Sequence, residues 1–379
     1  MKVVHIITGL DQGGAESALF RLVTFKQSNV NHIVVSMMNS GKFGTKLKDE
    51  DILVHTLEMP RGHITISGLT KLWKLIRKEK PDVVQTWMYH ADLIGGTIAR
   101  LTGCSSVCWG VVAFNLHPKV MSQSTRFIIK LCALFSHIIP SKIITCADAS
   151  IRIHQSIGYS RGKFVTIPLG FDLGEDISSN GNWAKRTTLF GAGKDEIVLG
   201  CVARWDPQKD HGNLLHALAI LLSRKKSFKC VLVGTGMNYQ NTALTELVSK
   251  EIINKDRLIM AGVVENISVV MSSFDLNILP SLGEAFPNVL AEAMACGTPC
   301  VTTDVGDAAL IVGNTGWVVP PSNPDALANA IQEAMDEMED FAKWNARKEA
   351  CRKRIVENYS LEQMVESYNR VWNDAINDK

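Results

Sequence analysis

The sequence predicts an α/β fold of two doubly wound, Rossmann-like domains whose sheets face one another across a cleft. Three observations carry this. Short apolar runs alternate with helical stretches almost from end to end, the pattern of parallel sheets covered by helices. The rhythm breaks once, in the glycine-, serine- and asparagine-rich stretch 170–193, and then restarts. A chain of 379 residues, 46% of them apolar, supplies enough material for two cores. In chain order, the first domain's strands are expected at 3–8, 32–37, 53–57, 82–87, 106–111, 142–146 and 164–168. The second domain's follow at 197–203, 229–234, 257–261, 274–279 and 299–303. Each ends in a turn or a helix start, the first in the glycine turn Gly9-Leu-Asp-Gln-Gly-Gly14. From 325 to 378 the pattern is helical throughout, with Phe341, Trp344, Tyr359, Tyr368 and Trp372 at spacings that suit packing. No internal repeat or low-complexity tract interrupts it.

Composition narrows the function. The net charge of +2 hides an asymmetry: residues 1–170 carry 20 Lys and Arg against 10 Asp and Glu, a balance of +10, and the remainder carries 20 against 28, or −8. A basic first half suits an acidic partner such as an anionic inner-membrane surface, a lipid pyrophosphate or a nucleic acid. The amino-terminal apolar run is too short for a signal peptide. The longest sticky segment, 127–139, is broken by Lys130, His137 and Pro140, well short of the ~20 residues a membrane span needs. It is expected either to lie in a membrane interface or to be buried against the sheet. The nine cysteines form no C-x-x-C pair and read as small core residues in a reducing cytosol. Cys104 with Cys108 and Cys296 with Cys300 have loose metal-like spacing but no accompanying histidine cluster, so no metal is expected. Asp49-Glu-Asp51 reads as solvated surface. The G-x-G-x-x-G fingerprint is absent and no acidic residue ends the second strand, which disfavours a nicotinamide-dependent oxidoreductase.

The most informative stretch is Ser281-Leu-Gly-Glu-Ala-Phe-Pro-Asn-Val-Leu-Ala-Glu292-Ala-Met-Ala-Cys-Gly-Thr-Pro-Cys-Val301. A buried strand ends at Pro280-Ser281, a loop carries Glu284, and Pro287 suits the first turn of a helix that Gly297 and Pro299 stop. Glu292 then sits on that helix, whose free N–H groups and dipole favour an anion above the strand. The two carboxylates fall roughly 12 Å apart if the rise is helical throughout, so they can hold hydroxyls at opposite ends of a sugar diphosphate. After an earlier strand, Ala203-Arg-Trp-Asp-Pro-Gln-Lys-Asp210 places Arg204 and Lys209 over the same end of the sheet. His90, in Trp87-Met-Tyr-His-Ala-Asp92, follows the fourth strand and could face the cleft.

These residues resemble the retaining glycosyltransferases of family 4, whose signature is similar to E-x7-E followed by E-A-M-A-C-G-x-P-x-V. The resemblance covers most of the chain and is strongest over 197–321. It implies the GT-B architecture: an acceptor-binding domain at 1–172, a linker at 173–195, a nucleotide-sugar domain at 196–358, and a terminal helix at 359–379 crossing back to the first domain. By this resemblance Glu284 lies against the donor sugar and Glu292 binds the nucleotide ribose. The amides of 285–289, those of Phe286, Asn288 and Val289 among them, meet donor hydroxyls and the distal phosphate. Arg204 and Lys209 look like the R-x4-K diphosphate clamp, and Gly234-Thr-Gly236 like a turn near the base or ribose. Gly13-Gly14-Ala-Glu16 matches G-G-x-E, where a bare backbone lets diphosphate or acceptor come close. Two positions depart from the pattern: Val112 stands where many relatives have His, leaving His117 a poorer substitute, and Leu169 stands where Asn is frequent. The implied activity is transfer, without metal or other cofactor and with retained anomeric configuration, of a hexose or N-acetylhexosamine from a UDP-sugar to a saccharide or lipid-pyrophosphate-linked acceptor in envelope polysaccharide, lipopolysaccharide or capsule synthesis. No nucleic-acid partner is implied. The expected location is cytoplasmic, peripheral on the inner membrane. A nucleotide-sugar epimerase on the same architecture and a catalytically silent sugar-nucleotide-binding protein remain alternatives.

Overall fold

A computed structural model describes the chain except for residues 12, 27–28, 112–121, 172–182, 194–195, 252, 255 and 379. It forms two compact units, Met1–Asp172 with Leu361–Lys379, and Leu173–Ser360.

The first unit runs β1 (Lys2–Ile7), α1 (Gly14–Val23), β2 (Asn31–Ser36), α2 (Gly41–Asp49), β3 (Leu53–Thr56), α3 (Ile66–Glu79), β4 (Val83–Trp87), α4 (Tyr89–Leu101), β5 (Val107–Val111), α5 (Gln123–Phe135), β6 (Lys142–Thr145), α6 (Asp148–Ser156) and β7 (Phe164–Thr166). Its seven strands pair in parallel in the order β3-β2-β1-β4-β5-β6-β7. Parallel strands covered by helices on both faces are buried along their length, and β1, β4 and β5 show it, with Val3, Val84 and Trp109 wholly buried.

The second unit contains α7 (Trp183–Phe190), β8 (Val198–Val202), α8 (His211–Ser223), β9 (Lys229–Val233), α9 (Thr242–Lys250), β10 (Leu258–Gly262), α10 (Ile267–Met271), β11 (Leu276–Leu279), α11 (Asn288–Ala295), β12 (Cys300–Thr303), α12 (Ala308–Val312), β13 (Trp317–Val319), α13 (Pro324–Glu337) and α14 (Phe341–Asn358). Its sheet, again parallel, has the order β10-β9-β8-β11-β12-β13. The last helix, α15 (Leu361–Asn377), is part of the first unit, where Trp372 Nε1 donates to Gln85 Oε1 of β4 at 3.1 Å.

Every expected strand is present to within two residues at each end. The extra strand, β13, has three residues before Pro320, too short for a pattern to reveal it. The stretch expected as linker contains α7, whose Phe190 is buried and stacks on Phe274 with ring centroids 5.8 Å apart. Arg186 of the same helix pairs with Asp275, so this helix is packed onto the second unit rather than suspended beside it. Of the carboxyl-terminal aromatics, Trp344, Tyr368 and Trp372 are buried, but Phe341 is 77% exposed because it opens α14 on its solvent side. Segment 127–139 is buried on one side only: Ile129, Cys132 and Ala133 face the core while Phe127, Leu134 and Ile138 face out. The cysteines are free thiols, buried apart from the half-buried Cys104, and no group of metal-ligating side chains occurs among the described residues.

In each sheet the strand order reverses at one place, between β1 and β4 and between β8 and β11. Loops leaving adjacent strands there diverge to opposite faces, opening a crevice at the strands' carboxyl ends where ligands of such sheets bind.

Candidate functional site

In the second unit this crevice is built from two loops. After β8, Asp206 accepts from Gln208 N at 2.9 Å and caps a 3-10 turn over Pro207–Lys209. Asp210 then adopts φ +46 and accepts from Asn213 N at 3.3 Å to start α8. These two caps fix where Lys209 leaves the backbone. After β11, Ser281 is wholly buried, and Thr303 Oγ1 donates to its carbonyl at 2.6 Å. Leu282 N donates to Gln208 O at 2.7 Å, tying the loops together.

The side chains meet on one atom. Glu284 Oε1 accepts from Lys209 Nζ and, at 2.7 Å, from Ser281 Oγ. Both ends of the ion pair are largely shielded, with side-chain exposures of 18% and 14%. Charges held in such a setting interact more strongly with a third charge than they do in water. Arg204 lies on the same loop but is 62% exposed, its Nε and Nη2 donating to Asp206 Oδ2 at 3.1 and 2.9 Å. An exposed pair of this kind adds little stability and leaves the guanidinium available to an arriving anion.

The Glu284 backbone is braced from β12's side. Gly306 has φ +54, and a Cβ there would lie 2.2 Å from Glu284 O and 2.4 Å from Ala285 O. Asp307 N donates to Ala285 O at 3.0 Å. Only glycine fits this approach. Phe286 is buried with its ring edge-on to Tyr359, centroids 5.7 Å apart, so its side chain packs inward and leaves only its backbone for a ligand. Pro287 stands just before α11, and Asn288 and Val289 form the first turn, where N–H groups lack acceptors within the helix. The Asn288 Oδ1 is buried without a hydrogen-bond partner. Glu292 is half-buried in the second turn of α11. Gly234 closes β9 with φ +137, and a Cβ there would lie 2.2 Å from Ala203 O. Its role is to let β9 pass the start of the Arg204 loop. Sequence reasoning missed Ser281 and Gly306; Ser281's place directly after a buried strand was the available signal, whereas Gly306 shows its purpose only through contact with a loop 22 residues earlier.

A polar hollow of about 850 Å³ lies at the other end of the same sheet. Its charges Glu196, Lys229 and Arg257 pair with one another at 3.4–3.5 Å, and it stands at the amino ends of β8–β10, away from Lys209 and Glu284.

In the first unit the predicted residues follow adjacent strands β1 and β4. Gly13 precedes α1 and Gly14 opens it. The space beside Gly13 is used by the chain itself: a Cβ there would meet Glu16 Oε2 at 2.3 Å. The Glu16 carboxyl has folded back to the helix start, where burial raises its pKa. In this structure that carboxyl lies in the clearance that the resemblance gives to a diphosphate or acceptor. Met88 takes φ +73, ψ 153, a backbone conformation costly for any residue with a side chain. Its N–H donates to Gly110 O at 2.9 Å, and the sharp turn brings half-buried His90 into the first turn of α4. Burial lowers the His90 pKa, keeping the ring neutral at pH 7. Asp92, fully buried, accepts from Thr86 Oγ1 at 2.6 Å and Gly110 N at 3.3 Å, and burial pushes its pKa up to about 7. Val112 and His117 lie outside the described residues.

Two parallel, doubly wound units, the second with a cation–carboxylate cluster at its topological switch point, are the architecture of the GT-B fold. Residues 196–337 match the family model described as Glycosyl transferases group 1. The chain is a glycosyltransferase carrying that domain. It is 24% identical over 318 residues to a UDP-Gal:alpha-D-GlcNAc-diphosphoundecaprenol alpha-1,3-galactosyltransferase of Escherichia coli, covering 83% of this chain and 81% of that one. It is 23% identical over 360 residues to the capsular polysaccharide biosynthesis glycosyltransferase CapM of Staphylococcus aureus, covering 88% and 89%. Its fold is similar to the crystal structure of Anabaena Alr3699/HepE in complex with UDP and glucose, with a TM-score of 0.83 and 20% identity over 99% of this chain and 100% of that one.

Proposed function

We propose that this protein is a retaining glycosyltransferase that takes a hexose or N-acetylhexosamine from a UDP-sugar without a divalent ion. The acceptor is a saccharide or lipid-linked saccharide of cell-envelope polysaccharide. The observation that carries the reading is the Lys209–Glu284–Ser281 cluster at the β8–β11 switch point. The names of the E. coli and S. aureus relatives support the donor and acceptor classes.

As the anomeric carbon–oxygen bond breaks, negative charge gathers on the departing diphosphate. Lys209, Arg204 and the N–H groups at the start of α11 stabilise it, and fixed dipoles and cations do so without reorganising. Lys209 exchanges part of its contact with Glu284 for a phosphate oxygen. Glu284, held by Ser281, then has acceptor capacity for a donor-sugar hydroxyl. The acceptor hydroxyl attacks from the face the diphosphate leaves, its proton passing to the leaving oxygen as the new bond forms, so the configuration is retained. His90 is the neutral group proposed to hold a sugar hydroxyl from the first unit.

Incubating the purified protein with a panel of UDP-sugars tests this. Slow release of UDP and free sugar from one of them, unchanged by a chelator and abolished in Glu284→Ala, is the expected result. Isomerised UDP-sugar would identify an epimerase, and binding without turnover a silent binding protein.

A further inference from the structure

We propose that Asp92 is a positioning residue of the transfer reaction, whose carboxyl clasps the end of β4 to β5 and so holds the turn that presents His90. The inference rests on the proposed role of His90 at a sugar hydroxyl. Among the described residues no hydrogen bond, ion pair or ring contact reaches the His90 imidazole, so its place is set by the backbone on either side. That backbone stands at the carboxyl end of β4, where the strand order of the first sheet reverses. Met88 holds φ +73 and ψ 153, a region all but reserved for glycine, which a residue with a side chain occupies only where its surroundings dictate it.

Gly110 of β5 grips both ends of the turn: its carbonyl accepts from Met88 N at 2.9 Å and its N–H donates to Asp92 Oδ1 at 3.3 Å. Thr86 Oγ1 of β4 donates to the same carboxyl oxygen at 2.6 Å, and Asp92 N donates to Met88 O at 2.9 Å. A side chain has no room at Gly110, where a Cβ would lie 2.7 Å from Thr86 O. Between these ends Tyr89 is anchored twice. Its carbonyl accepts from Cys132 Sγ at 3.3 Å, and its hydroxyl lies 2.7 Å from His154 Nε2. The Ser150 carbonyl, 2.7 Å from His154 Nδ1, can only accept, so Nδ1 carries the proton and Nε2 accepts from Tyr89. Ala91 is wholly buried, so of residues 88–92 only Met88 and His90 reach solvent. Asp92 takes both clasping bonds on Oδ1 and leaves Oδ2 buried without a partner. That is a costly way to fill a core unless the carboxyl's reach from the helix start to both strands is what the turn needs.

Two measurements on the full-length protein test this, one of them without turnover. With isotope-labelled histidine, the His90 ring signal, identified by its absence in His90→Ala, is titrated by NMR. In the wild type burial holds its pKa below the ordinary value. Asp92→Ala should free the turn and return the ring toward ~6.5, whereas Asp92→Asn, whose carbonyl accepts the same two bonds, should leave it where the wild type has it. Thr86→Val removes one donor at nearly constant shape. It should shift the ring less and in the same direction, and it carries the test where Asp92→Ala does not fold. The second measurement is hydrolysis of UDP-sugars. Asp92→Ala is expected to lose at least roughly tenfold in kcat/KM, Asp92→Asn to retain most of it, and Asp92→Ala to cost no more than roughly twofold in a protein already carrying His90→Ala. A His90 ring that titrates as in the wild type in folded Asp92→Ala and Thr86→Val would overturn the proposal. So would an equal loss from Asp92→Ala with and without His90, which would make Asp92 a structural carboxyl while leaving the role of His90 intact. His90→Ala as active as the wild type would instead end the role given to His90, and the proposal with it.

Discussion

The two units share a topology and use their polar residues in opposite ways. In the second unit, Lys209, Glu284 and Arg204 stand at the rim of the sheet, paired but within reach of solvent. In the first, a set of histidines and Asp92 sinks into the core. His5 Nε2 lies 2.9 Å from His32 Nδ1, Trp87 Nε1 donates to His5 Nδ1 at 3.3 Å, and both imidazoles stand edge-on to Trp372 of α15. Tyr89 OH lies 2.7 Å from His154 Nε2 in the same way. One fold thus presents charge where an anion can exchange partners with it, and elsewhere buries neutral polar groups where hydrogen bonds fix the packing.

The contrast is sharpened most by pH. Burial lowers the His32 pKa to about 4, and burial with the neighbouring His32 lowers that of His5 further below its ordinary value. Both rings are neutral in the fold, while the unfolded chain takes up protons below about pH 6.5. Their contribution is complete above that pH and is lost as pH falls toward 4, to the extent of about 3 kcal/mol for His32. Asp92 acts in the reverse sense: its raised pKa makes the fold hold a proton, so its contribution is present below the usual carboxylate range and disappears as pH rises through about 7. Two imidazoles outweigh one carboxyl between pH 4 and 6.5, so urea denaturation should show stability rising with pH in that window. Replacing His32 by Gln should flatten the slope and replacing Asp92 by Asn should steepen it. Slopes that do not change would put the buried cluster outside the pH response.

A smaller effect separates brace from core. Gly306→Ala forces a methyl into the Glu284 and Ala285 carbonyls at a positive φ. It is expected to lower kcat/KM at least roughly tenfold through displaced Glu284, alongside a loss of stability of about 1–3 kcal/mol. Unchanged activity in a folded Gly306→Ala would remove the brace from the account. The smallest expected change is in Ser281→Ala, which takes one hydrogen bond from Glu284 and should cost about 1 kcal/mol in transition-state stabilisation, roughly fivefold in rate, with little change in melting temperature.

Much of the second unit's site was legible because it is local. Ser281 to Val301 is one strand end, one loop and one helix, and Pro287 and Gly297 mark that helix's ends in the sequence. The pairing of Lys209 with Glu284 spans 75 residues, yet each follows its own recognisable strand, so the topology brings them together. The first unit was legible as strands but not as a site. Its buried network joins Gln85 to Trp372 across 287 residues, and the filling of Gly13's clearance by Glu16 is a matter of side-chain direction. Neither leaves a pattern in the spacing. Helix α7 was hidden by the glycine and serine residues ahead of it, since no strand alternation frames it.

In the proposed reaction Lys209 answers to the diphosphate and Glu284 to the sugar. Isothermal titration of UDP and of a UDP-sugar into the wild type, Lys209→Ala and Glu284→Gln tests it directly. Loss of a buried charged partner should weaken both ligands at least roughly tenfold in Lys209→Ala, while Glu284→Gln should weaken the UDP-sugar and leave UDP unchanged. Equal affinities for both ligands in all three proteins would contradict it.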